Sequence, residues 1–501
     1  MTRTNDFETA ADEWGRYDGT GAGVKFSPEA RVHYTYSNAE DLLDNLEDLA
    51  EMLQHHEESQ RPRLDILDDY YEGQNTSIAQ GRRRKETHLA DHRPTHAFAE
   101  YVSQFIQGYM VGVPIQVQHT EDAANEIIRD LNEQNDADAH NAELILDLSV
   151  YGRAYELLFR RQDDVVRFVR LDPLQTFVIY DDTVERKPIA GVRYFRRGYK
   201  QDQDERYQVE VYTDQNTHYF EASDMQSRNL MSVRDEPHYF DGVPVIEYEN
   251  NRFRQGDYEK VLSLIDLYDA AEADTANYMT DLNDAMLKIK GNVELSAEEA
   301  RKMKESNILF LKTEMAADGK EGSADADYIY KQYDVSGVEA YKNRIADDIH
   351  KFTNTPNMND ENFAGNASGV AMVYKLFGLE QKRVTKERLF KRSMKERYRL
   401  VNNLLSTGRE GSFDVDELDI VFTPNLPKNL KDELETFAKL GGQLSNRTKL
   451  ELLSFIDDPS EEEERLEEET EAKRLPYEFP TDNPQDEQQD PPPVEGETDG
   501  R

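Results

Sequence analysis

The sequence predicts an α+β fold, mainly α, divided among several domains or local cores of one elongated body. Three observations carry this. The chain has 501 residues, too many for a single compact core. Apolar residues recur at three- and four-residue spacing over long stretches, the mark of amphipathic helices, except in one block where β-branched and aromatic residues gather in short runs between polar turns. The apolar fraction of 37%, with 27 Tyr and 21 Phe, gives ample packing material despite the heavy charge.

From Asn38 to Gln60, Leu42, Leu46, Leu49 and Leu53 predict one amphipathic helix. A second follows over Arg63 to Gly73 with Leu64, Leu67 and Tyr71, ending at the glycine that suits a helix C-terminus. A polar basic loop, Thr76 to Thr87, leads to a helix carrying Ala97, Tyr101, Phe105 and Gly108. Gly112-Val113-Pro114 then turns the chain into a strand at Ile115 and Val117. Helices are expected over Asp122 to Asn135 and Asp138 to Val150. The β-rich block follows, with strands at Ala154–Arg160, Val165–Leu171, Thr176–Tyr180, Ile189–Phe195, Tyr207–Tyr212 and Thr217–Glu221, closed by Gly242 to Ile246.

Tyr258 to Asn283 reads as a long helix with Val261, Leu264, Ile265 and Tyr268 on one face and acids on the other. A short mixed module follows over Ala285 to Val335. In it Leu287 and Ile289 alternate, Ser296 and Glu299 form a capping box, Ile308 to Leu311 reads as a strand, and Ala316 to Asp327 as a polar loop. A second long helix, Val338 to Asn354, carries Tyr341, Ile345, Ile349 and Phe352 and is stopped by Pro356. After a loop from Asn357 to Ala367, Ser368 opens a third helix running to about Ser406. Leu418 to Phe422 reads as a strand, Leu430–Leu440 and Ser445–Leu453 as a helical hairpin about Gly441-Gly442, and the acidic, Pro-rich Asp457 to Arg501 as a tail without fixed structure. There is no internal repeat.

Net charge is −42, which excludes the broad basic surface by which DNA-binding proteins neutralise phosphates. It suits a very soluble acidic protein, as in a saline habitat, or a wall along which DNA slides without sticking. With no Cys there is no disulfide and no thiolate metal site. The first 23 residues carry Asp6, Glu8, Asp12 and Glu13 and no apolar segment, so they are not expected to act as a secretion signal. No stretch reaches the roughly 18 apolar residues of a membrane span, and a soluble protein assembled in a cytoplasm is expected.

Enzymatic motifs fail on spacing. Gly19 to Lys25 resembles a phosphate loop but lacks the terminal Gly-Lys-Ser/Thr and any preceding strand, and Gly319-Lys320 lacks the hydroxyl residue that holds magnesium. His88, His92 and His96 share helical spacing, but Pro94 interrupts it. Asp65, Asp68 and Asp69, and Asp347 with Asp348, read as solvated faces in a chain with 102 acidic residues. No cofactor and no metal are expected.

The order of parts is more informative: long helix, small module, long helix, glycine-containing loop, very long helix, hairpin and tail. With it come Asp69-Tyr70-Tyr71-Glu72-Gly73, the run Phe105 to Pro114, Gly152-Arg153-Ala154-Tyr155-Glu156, Leu171-Asp172-Pro173, the run Ser368 to Glu380, and Phe455-Ile456-Asp457-Asp458-Pro459. In this collinear order the sequence resembles the portal proteins of tailed double-stranded DNA phages, in the branch of siphophages with Gram-positive hosts, over residues 40 to 475.

The resemblance implies an elongated portal-type subunit. A flexible arm (1–29) precedes a wing (30–255), stem helices (256–283 and 337–356) flank a clip (284–336), and a tunnel loop (357–367) leads to a long wing helix and strand (368–424), a crown (425–475) and a tail (476–501). It implies a ring of twelve copies at one capsid vertex of the virion, serving genome packaging, head-to-tail joining and DNA ejection, and not an enzyme. Partners would be other copies of the chain, the packaging ATPase (large terminase), a head-to-tail adaptor, major capsid and scaffold proteins, and double-stranded DNA in transit without sequence specificity, with no membrane. Asn357, Asn359, Asn362, Phe363, Gly365 and Asn366 would form the loop that touches DNA, although Gly and Asn also suit an ordinary surface turn. Val261, Leu264, Ile265, Tyr268, Tyr341, Ile345, Ile349 and Phe352 would pack the stem, whose acidic faces are expected toward the channel.

The third long helix is locally basic, with Lys382, Arg383, Lys386, Lys391, Arg392 and Lys395 among its cations. They contact either DNA or acidic surfaces of the same or a neighbouring subunit. The second is preferred because Leu389, Tyr398 and Leu400 commit the helix to packing. The competing readings are an acidic metal-dependent nuclease or other phage-encoded hydrolase, which lacks any motif of correct spacing, and a coiled-coil adaptor, for which the helices are too short and mixed.

Overall fold

A computed structural model describes residues 28–79, 90–161, 163–196, 206–223, 229–281, 286–290, 325–329, 334–358, 375–409 and 411–425, with isolated positions in 296–302 and 445–466. Outside the described residues lie the arm before Pro28, the basic loop beyond Ala79, the strand expected at Ile308 to Leu311 and the polar loop before Asp325. So do the loop from Asn359 to Ala367, the turns from Ser368 to Tyr374, the helix Leu430 to Leu440, most of Ser445 to Leu453 and the tail beyond Leu466. Two units divide the chain, residues 1–426 and 427–501. In the second, Ser445 Oγ accepts the Thr448 N–H at 3.2 Å and Arg465 pairs with Glu462 at 3.5 Å.

The first unit opens with β1 (Tyr34–Tyr36), α1 (Ala39–Asp44) and α2 (Leu46–His55). The single helix expected from Asn38 to Gln60 is broken at Asn45. Asn38 caps α1 by accepting the Asp41 N–H at 2.8 Å, and Asn45 leaves helical geometry to start α2. No break occurs at Gln60. A π-helical turn, His56–Gln60, runs directly into α3 (Arg61–Tyr71), and Pro62, which has no N–H for the ladder, stands just past this change of helical repeat. A single turn, Thr76–Ala79, follows.

Next come α4 (Phe98–Val111), β2 (Gln116–Gln118), α5 (Asp122–Gln134) and α6 (Ala137–Tyr151), close to expectation. The β-rich block is larger than its sequence pattern. It comprises β3 (Arg153–Arg160), β4 (Val166–Leu171), β5 (Thr176–Asp181), β6 (Pro188–Arg196), β7 (Tyr207–Tyr212), β8 (Asn216–Ala222), β9 (Met231–Pro237) and β10 (Val245–Glu249). These form two sheets, one of six strands in the order β1-β5-β6-β7-β8-β9 and one of three in the order β10-β3-β4. The pattern missed β1 because three residues pairing in parallel with β5, Tyr34 opposite Ile179, carry no local periodicity. It missed β9 because this outer strand is exposed along its whole length and has no buried face to write an alternation.

A 3₁₀ turn, Glu259–Val261, leads into α7 (Leu262–Asp281). The antiparallel ribbon of β11 (Met286–Lys290) and β12 (Asp325–Ile329) separates it from α8 (Val335–Thr353). Between them, Ser296 and Glu299 close a reciprocal capping box, with Ser296 N–H to Glu299 at 3.1 Å and Glu299 N–H to Ser296 Oγ at 3.3 Å. Last come α9 (Phe377–Gly408) and β13 (Asp419–Val421), which pairs back onto β2 with Ile420 opposite Val117.

Three apolar clusters match the expectation of several local cores. The largest packs α3, α4 and α6 against α9 through Leu64, Ile106, Leu148, Phe390, Met394 and Tyr398, and extends to Ile265 and Ile349 of α7 and α8. A second buries Leu42, Leu49 and Leu53 against Phe177, Val192 and Val209 of the large sheet. A third fills the space between the two sheets with Tyr155, Leu157, Val178 and Val245. Burial of each such side chain contributes about 1.5–3 kcal/mol, so the helices hold position by tertiary packing rather than propensity.

Candidate functional site

The cations of the third long helix lead to the place where the distant parts of the chain meet. Asp257 lies just before α7 on a segment that packs tightly on the end of α6. Gly152 closes α6 with φ +81, and a Cβ there would sit 2.3 Å from the Arg254 carbonyl oxygen, while a Cβ on Gly256 would sit 2.4 Å from that of Val150. The Asp257 N–H donates to the Ser149 carbonyl at 2.7 Å. Its carboxylate is buried and takes Lys382 Nζ at 2.8 Å on one oxygen and Lys386 Nζ on the other. Burial opposes ionisation of Asp257, but the two ammonium groups outweigh it and hold the carboxyl far below the usual range.

Lys382 also donates to the Thr353 carbonyl at 3.1 Å, in the last turn of α8. One side chain thus joins the start of α7, the end of α8 and the start of α9. The chain on either side of residues 359–374 is fixed in the same place. Asn354 ends α8 in the left-handed region, φ 59, and a Cβ on Gly378 would meet its Oδ1 at 2.9 Å. From α4, the Tyr101 hydroxyl donates to the Pro356 carbonyl at 2.6 Å and accepts the Met358 N–H at 3.4 Å, while the Tyr109 hydroxyl donates to Glu380 at 2.8 Å.

Three of the other expected cations of α9 pair within the subunit, while Arg388 stands exposed. Arg383 pairs with Glu380 at 2.7 Å and Glu387 at 2.5 Å, Lys391 with Glu387 at 2.7 Å, and Arg392 with Glu249 of β10 at 3.1 Å. Lys395 is half-buried beside Glu396 and Asp414. Further along, Arg397 meets Glu156 of β3 at 2.7 Å with neither side chain exposed, and Glu156 also accepts Tyr248 at 2.6 Å and contacts His140 Nε2 at 3.0 Å. Burial works against the Glu156 carboxylate, yet Arg397, His140 and Tyr248 draw it down to about 2.

The expected stem residues divide into two groups. Val261, Ile265, Ile345 and Ile349 are buried and Leu264 and Tyr268 half-buried, all facing the core of their own subunit. Tyr341 and Phe352 instead stand 48% and 59% exposed on the outer side of α8. Three acids of α7 are turned toward their own subunit, whereas Asp274 is exposed. Asp266 accepts the Tyr70 hydroxyl, Asp269 takes Asn75 Nδ2 and His96 Nδ1, each at 2.7 Å, and Glu272 takes Lys342 of α8 at 2.9 Å. The physical reason is that α3 and the strand-like approach to α4 lie along this helix, offering donors to its carboxylates. Of the expected loop residues, Asn357 is half-buried, and Asn359, Asn362, Phe363, Gly365 and Asn366 lie outside the described residues.

His92 and His96 have separate partners, Thr280 Oγ1 at 2.9 Å and Asp269, and among the described residues no group of His, Asp and Glu is arranged to hold a metal ion. Also among the described residues, no helix is long and apolar enough to cross a membrane. The arrangement is a mechanical junction of buried ion pairs and tyrosine anchors. Sequence reading identified the cations of α9 but not Asp257, Glu156, Tyr101 or Tyr109. The available signal was the recurrence of Leu379, Lys386, Phe390, Ser393 and Arg397 on one buried face of a helix, which announces that those cations need buried acceptors.

Residues 50–474 match the family described as "Phage portal protein, SPP1 Gp6-like". The chain is 24% identical over 408 residues to the portal protein of Bacillus phage SPP1, covering 78% of each chain. It is 23% identical over 426 residues to the portal protein of Clostridium phage phiCD119, covering 80% of this chain and 91% of the relative. Among solved structures it is similar to a chain in the neck of an empty GTA particle, with TM-score 0.42 and 14% identity, over 71% of this chain and 90% of that one.

Proposed function

This chain belongs to the SPP1 Gp6-like family of phage portal proteins, and from that premise we propose that it closes into a ring of about twelve copies whose axial hole passes double-stranded DNA. The family is structural rather than enzymatic, and its members are parts of the virion. In the reading proposed here the ring occupies one capsid vertex after assembly in the host cytoplasm. Residues 30–255 form the wing, 256–283 and 337–356 the stem, 284–336 the clip, 357–367 the tunnel loop, 368–424 the long wing helix and strand, and 425–475 the crown. The clip side meets the large terminase during packaging and the head-to-tail adaptor afterwards, and the wing meets major capsid and scaffold proteins.

The observation that carries this division of labour is the convergence on Asp257. The wing ends of both stem helices and the start of the long helix share one buried set of charges, so the chain between residues 358 and 375 is held at both ends by a rigid base. A loop that brushes a moving polymer needs such a base, because force on the loop otherwise deforms the subunit rather than acting on the DNA. Net charge supports passage over adhesion: at −42 per subunit, and with Lys382, Arg383, Lys386, Lys391 and Arg392 of α9 paired internally, the ring repels phosphates. In a terminase-driven packaging reaction, shells built with this chain protect DNA from nuclease and shells built without it do not. Equal protection in its absence contradicts the reading.

A further inference from the structure

Strand β9 is the free edge of the six-stranded sheet, and its side chains describe what would cover it. We propose that this edge receives, as a seventh strand, an extended segment of a different virion protein, one with alternating apolar residues and a basic end. The inference rests on the ring reading and its placement of residues 30–255 in the wing, and it assigns one contact surface there.

Among the described residues β9 pairs with β8 alone, and all seven of its residues are exposed. Alternate N–H and C=O groups of an outer strand point away from its neighbour, and those of β9 have no other backbone partner among the described residues. The charges that usually guard such an edge are engaged within the sheet. Arg234 lies over the Tyr219 ring at 4.2 Å and pairs with Glu236 at 3.2 Å, and Asp235 takes His218 Nδ1 at 2.8 Å. Apolar side chains are left outside: Met231 is 44% exposed, Val233 55% and, just beyond the strand, Tyr239 62%.

Tyr239 is held outward by its neighbours. Its φ of +63 lies in the left-handed region, which a bulky side chain rarely adopts. His238 Nε2 donates to the Thr213 carbonyl at 2.9 Å while its Nδ1 accepts the Phe240 N–H at 3.3 Å. Phe240 is buried, and Asn403 of α9 donates to its carbonyl at 3.1 Å. A strained turn with buried anchors around one exposed ring is a mount for a contact residue.

Shape and charge select the occupant. The opposite edge of the same sheet, β1, has three residues and its Tyr34 is buried, so β1 of a second copy cannot cover seven. Two β9 strands facing each other make a two-fold contact, which closes on itself and does not propagate around a ring. Val233 is an extra residue where the register shifts between Tyr219 and Phe220, and such a bulge bends the strand away from the line of a regular sheet edge. A short separate segment can follow that bend. At the Pro237 end Asp214, Asp235, Glu236 and Asp241 are exposed beside Glu396 of α9, against the cations Arg234 and Arg399, the latter close to Gly242 and paired with Glu396. At the Met231 end Glu221 and Arg206 offset each other at 3.3 Å. The surplus of acid at one end calls for a segment that is basic there, while the backbone edge and the three apolar side chains supply the rest of the contact.

The test is hydrogen exchange over residues 230–237, read by mass spectrometry in purified rings of the full chain and in shells assembled from those rings with major capsid and scaffold proteins. Exchange is expected to slow about tenfold or more in the shells, while that of the exposed loop 182–186 stays the same. Equal exchange in rings and shells overturns the proposal. So does full protection in the rings alone, since this chain would then cover its own edge. Val233→Lys sets a charge on an exposed side chain against a basic segment. It is expected to leave the melting temperature and ring mass unchanged and to lower the share of shells that contain a ring by about tenfold. Normal incorporation of this variant overturns the proposal, as does loss of its rings. A wild-type chain that never forms rings overturns the ring reading, and this inference with it.

Discussion

Lys382 stands 2.8 Å from Asp257, and through that contact the end of α8, the segment that opens α7 and the start of α9 are tied together. Asp257 serves Lys386 from its second oxygen, and the Lys386 side chain is only 2% exposed. Asp257→Asn leaves that ammonium buried without a counter-charge, a defect that costs about 3–5 kcal/mol. Urea unfolding of the variant should show a loss of this size. A loss below about 1 kcal/mol would mean that water reaches the pair and that it does not fix the junction.

Gly152 and Gly256 let the end of α6 and the segment before α7 touch backbone to backbone. Alanine at Gly152 meets both a left-handed φ of +81 and a carbonyl oxygen 2.3 Å from its Cβ. The conformation alone costs roughly 1–2 kcal/mol, and the clash adds to it. Gly152→Ala should therefore lower the melting temperature clearly more than Gly108→Ala, where an added Cβ meets nothing within 4 Å. Equal effects at the two positions would contradict the close approach.

His96 links the approach to α4 with Asp269 of α7 at 2.7 Å, and this bond raises its pKa against the opposing effect of burial. A histidine whose folded pKa exceeds its unfolded value, near 6.5, contributes stability that is complete below that value and is lost as pH rises through the folded one. Asn75, Tyr268, Glu272 and Lys342 also surround the pair and are common to any variant. The melting temperature of wild type should exceed that of His96→Gln most on the acid side of 6.5 and converge with it at alkaline pH. A difference that grows with rising pH would contradict the assignment.

Binding of duplex DNA should be weak. With −42 charges per chain, and Lys382, Arg383, Lys386, Lys391 and Arg392 of α9 paired to Asp257, Glu249, Glu380 and Glu387, repulsion of phosphates outweighs counterion release. Fluorescence anisotropy with a labelled duplex at physiological salt should show no saturation at micromolar protein. Tight binding with a steep salt dependence would instead mark a basic surface and return DNA contact to α9.

Most of the fold was legible because most of its elements write their burial into the sequence. The helices α4, α5, α7 and α8 have one apolar face each, α6 is an apolar-rich run buried on nearly all sides, and β3 to β8 carry β-branched and aromatic runs. Elements without such a record were missed: β1, three residues held by a partner far along the chain, and β9, which has no buried face. The junction was half legible. Lys382 and Lys386 were conspicuous as cations in an acidic chain, but Asp257 is one carboxylate among 102, and only tertiary structure separates it from the rest. For the same reason helical periodicity gives the side of α7 that carries Asp266 and Asp269, but not the donors that Tyr70, Asn75 and His96 bring to it.

The measurement that bears most directly on the central claim is electron microscopy of the purified full-length protein, with the particle mass determined on the same sample. The account predicts rings with a central hole and a mass near twelve times the 58.0 kDa chain. Particles of one or two chains, unchanged across protein concentration and salt, would contradict it.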